Sequence, residues 1–136
     1  MIKKVEHIGI AVKNMNDSSS LFAKLFGKEH YKIENVPGEN VNTGFFMLGE
    51  TKIELVESTS DESAISKFIA KKGEGIHHIA YEVDNLEAEM ERLKKEGFEL
   101  LNEVPKEGAD NKRICFLHPR STNGVLVELC EEKKSK

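Results

Sequence analysis

His7-Ile8-Gly9-Ile10-Ala11-Val12 is answered later in the chain by His78-Ile79-Ala80-Tyr81-Glu82-Val83. Turn and cap residues follow each stretch, then an amphipathic segment closed by glycine, Gly27 in one half and Gly97 in the other. A second match ends each half: Lys52-Ile53-Glu54-Leu55-Val56-Glu57 against Leu126-Val127-Glu128-Leu129-Cys130-Glu131. The chain is therefore read as a duplication that repeats one histidine and one glutamate at strand positions.

Working outward, period-two alternation predicts a strand over 5–12. Asn14, Asn16 and Asp17 supply turn and cap chemistry for a helix carrying Leu21, Phe22, Leu25 and Phe26. Strands are predicted over 31–36, 43–48 and 52–57, the last two joined by a tight Gly49-Glu50 hairpin. The second half repeats the order: a strand over 76–83, a helix marked by Leu86, Met90 and Leu93, then strands over 98–104, 113–117 and 125–130. The loop 106–111 contains Gly108 and could move. Ala64, Ile65, Phe68 and Ile69 mark a short helix with no counterpart in the second half, read as a linker over about 60–73. The predicted fold class is α+β. Two duplicated βαβββ modules, about 4–57 and about 75–131 of a single domain over 1–136, form a curved mixed sheet around a metal-binding cleft.

Alternation also decides what the repeat can do. His7, Gly9 and Ala11 share one strand face, as do His78, Ala80 and Glu82; the branched apolar residues occupy the other, where a helix packs. Glu54 and Glu128 stand between aliphatic neighbours in the same way. Such residues are either solvated strand positions or, if the four face one cavity, the ligands of a metal ion. Imidazole nitrogen with carboxylate oxygen suits cobalt, nickel, zinc, manganese or iron, and suits magnesium or calcium poorly. His77 alternates to the opposite face. His30 and His118 have no repeat partner, although His118-Pro119 sits at a strand exit and either lines the site or makes a turn.

Composition limits the other classes. The chain has 136 residues, 38% hydrophobic and 32% charged, with a net charge of −4, which fits a soluble globular domain. No apolar run spans a membrane, no secretory signal is visible, and no basic stripe points to nucleic acid. Cys115 and Cys130 form no CxxC pair and are expected to be buried, reduced thiols of a cytoplasmic protein. The tail 131–136 is polar and expected to fray.

Four segments together resemble the vicinal oxygen chelate (glyoxalase/bleomycin resistance/dioxygenase) superfamily: 7–12, 49–55, 75–80, and 116–119 through 124–129. The resemblance covers about residues 4–131. Its doubled His77-His78 and its Phe116-Leu117-His118-Pro119 bring it nearest to the methylmalonyl-CoA epimerases. It implies His7, Glu54, His78 and Glu128 as ligands of one divalent metal ion, with Glu128 also a catalytic acid/base. It implies proton removal and return at C2 of an acyl-CoA through a metal-stabilised enolate. It further implies a homodimer. Some relatives carry a second glutamate at about the position of Thr43, where this chain has none. Lys106, Lys112, Arg113 and Arg120 are the basic residues near the site loop. Two alternatives share the frame. A lactoylglutathione lyase acts on the methylglyoxal–glutathione hemithioacetal, and a binding protein of the same fold lacks the metal; retention of all four ligand-type residues speaks against the latter.

Overall fold

The structure, a computed structural model, describes residues 1–134. It divides into two compact units, one of residues 7–77 and one of residues 1–6 with 78–136. The first strand, β1 (Ile2–Val12), contributes residues to both.

In the unit of residues 7–77, the Asn14 side chain accepts the Asp17 N–H at 2.9 Å and starts α1 (Met15–Phe26). Gly27, at a φ of 70°, ends that helix in the left-handed conformation that glycine adopts without a Cβ penalty. Then come β2 (Lys32–Val36), β3 (Val41–Leu48), β4 (Thr51–Ser58) and α2 (Ala64–Lys72). The hairpin between β3 and β4 is the predicted two-residue turn. Leu48 pairs with Thr51, and Gly49 takes a φ of 63° at the first central position, as a type II′ turn requires. The strand order is β2-β3-β4-β1, antiparallel except for the parallel β1–β4 pair. One face of this sheet receives α1 through Val12, Met15, Phe46 and Leu55, with Ile10, Phe22, Phe26 and Ile53 packed around them. Phe46 is fully buried, with the Phe26 ring edge-on at 5.3 Å. Each such side chain contributes roughly 1.5–3 kcal/mol of burial free energy. The Met15 side chain of α1 fills the space left by Gly44, where a Cβ would lie 2.9 Å from the Met15 sulfur.

The other unit repeats the plan with β5 (Gly75–Val83), α3 (Leu86–Lys95), β6 (Lys106–Glu107), β7 (Lys112–Leu117) and β8 (Val127–Glu132). Its order is β5-β8-β7-β6, with β5–β8 parallel and the rest antiparallel. The Asn85 side chain caps α3 by accepting the Ala88 N–H. Leu86, Met90 and Leu93 bury against Val83, Cys115, Leu117, Val127 and Leu129. Both halves thus run β-α-β-β-β, and the α+β class is as predicted.

Two details differ from the sequence reading. Residues 98–104 form no strand beyond a single bridge between Leu100 and Leu117. The reason is Asn102. Its amide donates to the Ile114 and Val104 carbonyls and its side-chain oxygen accepts the Phe116 N–H, so a side chain takes the place of a ladder of backbone bonds. The loop 106–111 begins with β6, and its Gly108 donates its N–H to the Lys112 carbonyl at 2.9 Å. The polar tail is ordered into β8 as far as Glu132; Ser135 and Lys136 lie outside the described residues. Cys115 and Cys130 are buried and unbridged, as predicted. No helix among the described residues is long and apolar enough to cross a membrane.

Candidate metal centre

The face of each sheet turned away from α1 or α3 carries the predicted residues. In the parallel β1–β4 pair, His7 stands opposite Lys52 and Gly9 opposite Glu54. In the parallel β5–β8 pair, Ala80 stands opposite Glu128. The two units use one register: each glutamate faces the residue two beyond its histidine, and that residue is glycine or alanine. Two of the smallest side chains therefore stand across from the two glutamates, on the faces that carry the histidines.

The result is the same pair twice. His7 Nε2 lies 3.4 Å from Glu54 Oε1, and His78 Nε2 lies 3.4 Å from Glu128 Oε1. All four residues are buried, at 5–6% exposure. Burying a carboxylate costs several kcal/mol unless something compensates its charge. The separation tests whether a metal fits. Two donors each about 2.1 Å from one ion, at 90–109° to each other, lie about 3.0–3.4 Å apart. The observed spacing is therefore that of neighbouring ligands, and it is longer than a normal imidazole–carboxylate hydrogen bond. Nitrogen with oxygen donors fits a transition metal.

Around the pairs, two residues that the histidine–glutamate pattern passed over occupy equivalent places. Phe45 on β3 stands opposite Glu54, and Phe116 on β7 opposite Glu128. The Phe116 ring meets the His78 ring edge-on at 6.1 Å. The same alternation that located the glutamates would have found both. Cys130 lies on the Glu128 face, one side-chain step along β8; burial, then the Glu128 charge, pushes its thiol far up from the ordinary range.

The remaining predicted residues have other tasks. His77 points to the opposite face and packs edge-on against Phe68 at 5.0 Å. His118 does not join the centre: its Nδ1 accepts the Arg120 N–H and caps a short 3-10 turn. His30 lies against Phe46, with its Nδ1 buried and unpartnered. Thr43 is buried, and its hydroxyl donates to the Glu34 carbonyl. Of the four basic residues, Arg113 is on the helix face, paired with Glu87 and Glu131, and Arg120 is held by Glu99. Lys112 is buried on the Glu128 face, 3.4 Å from Glu132, and Lys106 lies over the Phe116 ring.

Sequence and fold comparison finds relatives of this chain. Residues 6–116 match the sequence profile of the glyoxalase/bleomycin resistance protein/dioxygenase superfamily. The chain is 39% identical to the uncharacterised protein YqjC of Bacillus subtilis, over 97% of this chain and 94% of that one. It is 41% identical to the mitochondrial methylmalonyl-CoA epimerase of Dictyostelium discoideum, over 97% of this chain and 80% of the relative. Among solved structures, a variant of Streptomyces coelicolor methylmalonyl-CoA epimerase in complex with 2-nitronate-propionyl-CoA superposes with a TM-score of 0.95. It is 29% identical and covers 98% of this chain and 100% of its own.

Proposed function

Because the chain belongs to the glyoxalase/bleomycin resistance protein/dioxygenase superfamily, we propose that it is a metal-dependent methylmalonyl-CoA epimerase whose two His–Glu pairs hold one divalent ion. The observation that carries this reading is the doubled pair, His7–Glu54 and His78–Glu128, at one spacing and in one register. His7, Glu54 and His78 are buried donors of metal-ligating type. The similarity to epimerases over nearly the whole chain supports the substrate.

A bound cobalt, nickel, zinc, manganese or iron ion would supply Lewis-acid polarisation of the substrate carbonyl. The chain's own residues do the rest. His7, His78 and Glu54 hold and orient; Glu128 both holds and exchanges a proton with C2 of the acyl group, the carbon between thioester and carboxylate. Return of a proton to the opposite face of C2, from water or from Glu54, inverts its configuration between (2R) and (2S). Phe45 and Phe116 line the carboxylates with apolar surface, which strengthens every charge interaction beside them. A cytoplasmic homodimer completes the proposal, the setting supported by two buried, unbridged thiols.

The test is proton exchange at C2 followed by NMR in heavy water, with metal-free protein reloaded with cobalt and given methylmalonyl-CoA. Metal-dependent loss of the C2 proton signal supports the epimerase. No exchange, with turnover of the methylglyoxal–glutathione hemithioacetal instead, makes the protein a lactoylglutathione lyase. Neither activity, with no metal retained, makes it a binding protein.

A further inference from the structure

Asn123 is the one asparagine of the chain that precedes a glycine. The pair lies between the short 3-10 turn at Pro119–Ser121 and β8. Asn123 and Gly124 take φ values of 56° and 85°, and the Val125 N–H donates to the Thr122 carbonyl at 3.1 Å. Two successive positive φ values closed by that bond are the marks of a type I′ turn, for which Asn-Gly is a preferred pair. Asn123, Gly124 and Val125 are exposed. The chain then enters β8, which carries Glu128.

The chemistry of the pair follows from its two side chains. Glycine has no Cβ, so nothing on residue 124 obstructs the approach of its backbone nitrogen to the side-chain carbonyl carbon of Asn123. A bond forms between the Gly124 nitrogen and Asn123 Cγ. The Cγ–Nδ2 bond breaks, and ammonia leaves with the proton of the Gly124 N–H. The five-membered imide that remains takes up one water. Opening at Cγ gives aspartate. Opening at the backbone carbonyl gives isoaspartate, whose main chain runs through Cγ and is one methylene longer. Both products carry a new negative charge, and no oxidant or reductant takes part.

The turn controls when this happens. The Gly124 N–H donates to the Pro119 carbonyl at 2.8 Å, and the Thr122 N–H donates to the same oxygen at 3.1 Å. The attacking nitrogen is therefore engaged while the turn is closed and is released when it opens locally. The same region has little room for a longer backbone. The Thr122 hydroxyl donates to the Val125 carbonyl, and the Ile79 N–H of β5 donates to the Leu126 carbonyl at 3.1 Å. The next residue, Val127, opens β8 and pairs with Ile79.

We propose that Asn123 is a modification site, at which imide formation with Gly124 yields isoaspartate, loosens the start of β8 and weakens the His78–Glu128 half of the centre. The site itself is independent of the epimerase reading; only its effect on metal binding rests on that reading.

The experiment ages the full chain in mildly alkaline buffer and separates the products by charge. Peptide mass and methylation by an isoaspartate-specific methyltransferase then map them. An acidic species with isoaspartate at position 123 should accumulate with time. Asn123→Gly accepts the positive φ and has no side-chain amide, so it should age without that species. Cobalt titration of the isoaspartate form should show about tenfold weaker binding, the low end of the losses typical when the support of a metal ligand is disturbed. Its thermal midpoint should fall as well. Freshly prepared Asn123→Asp carries the charge on an ordinary backbone and should keep wild-type values of both. Aged wild type without isoaspartate at 123 overturns the proposal. Isoaspartate at 123 with an unchanged midpoint and cobalt affinity overturns its effect on β8. An equal loss in Asn123→Asp assigns the effect to charge and overturns the backbone account. A lower midpoint in a protein whose unmodified form binds no cobalt keeps the proposal and sinks the metal reading instead.

Discussion

Ala80 stands directly opposite Glu128 in the parallel β5–β8 pair, two residues beyond the histidine whose Nε2 lies 3.4 Å from that carboxylate. It is completely buried. Enlarging it should part the pair. Ala80→Val is expected to cost roughly 1–3 kcal/mol of stability through overpacking. It should also lower metal affinity by more than tenfold, a margin set by the 10–100-fold losses typical when the support of a metal ligand is disturbed. Calorimetric titration with cobalt, alongside a thermal melt, separates the two effects; unchanged affinity would show that the small residue is incidental.

If both His–Glu pairs hold a single ion, the protein binds one equivalent of metal. Either His7→Ala or His78→Ala should then abolish it. Two separate sites would instead give two equivalents and leave one in each variant. Metal at a hundredfold excess over its dissociation constant should stabilise the wild type by about 2.7 kcal/mol, and chelation should remove that gain. Metal analysis after gel filtration and a melt with and without chelator decide between the cases.

Glu128→Gln keeps size and shape but removes the carboxylate that exchanges the proton. Loss of a positioned acid/base should slow C2 exchange by about 10²–10⁴-fold. Exchange within a factor of three of wild type would require another group as the base. Thermal stability should not fall, because a buried charge has been replaced by a neutral amide.

Glu89 is a buried carboxylate of α3 clasped by Arg92, and further by the amino group of Met1 at 2.8 Å. Arg92 first, and that amino group second, hold its carboxyl below the ordinary value of 4.5. Since the folded value lies below the unfolded one, the stabilisation is complete above about pH 4.5 and is lost as pH falls through the folded value. Glu89→Gln should therefore lower stability at pH 7 by about 0.5–1 kcal/mol and flatten the acid limb of a stability–pH curve. Denaturant melts at pH 7 and pH 3.5 measure both; an unaltered acid limb would assign it to other carboxylates.

Burial pushes the Cys115 thiol up to about 11, and the Cys130 thiol higher still. Neither presents a thiolate near neutral pH. A disulfide-exchange reagent at pH 8 should find no reactive thiol in the native protein and two after unfolding. Rapid reaction in the native state would mean that the β7–β8 sheet opens locally.

Much of the architecture was legible in local chemistry. Asn14 caps its helix, Gly49 turns the hairpin, and alternation puts His7 and His78 on the face opposite the helix-packing aliphatics. These are properties of short stretches, where one residue's backbone preference or a period of two suffices. Sequence could therefore name the α+β class, the order β-α-β-β-β and the strand positions of two His–Glu pairs. It failed over 98–104, because a strand-like composition there is overruled by Asn102, whose amide reaches backbone on a distant strand. It did not separate Lys106 from Arg113 and Arg120, all three exposed or half-exposed basic residues. Only the register of β6 on β7 seats one over Phe116, and only the tertiary structure brings Glu87 to Arg113 and Glu99 to Arg120. The 3.4 Å spacing within each pair likewise belongs to tertiary structure. It depends on which residue of β4 lies across from Gly9 and which of β8 from Ala80. A parallel pairing joins strands far apart in the chain, and no local propensity sets its register.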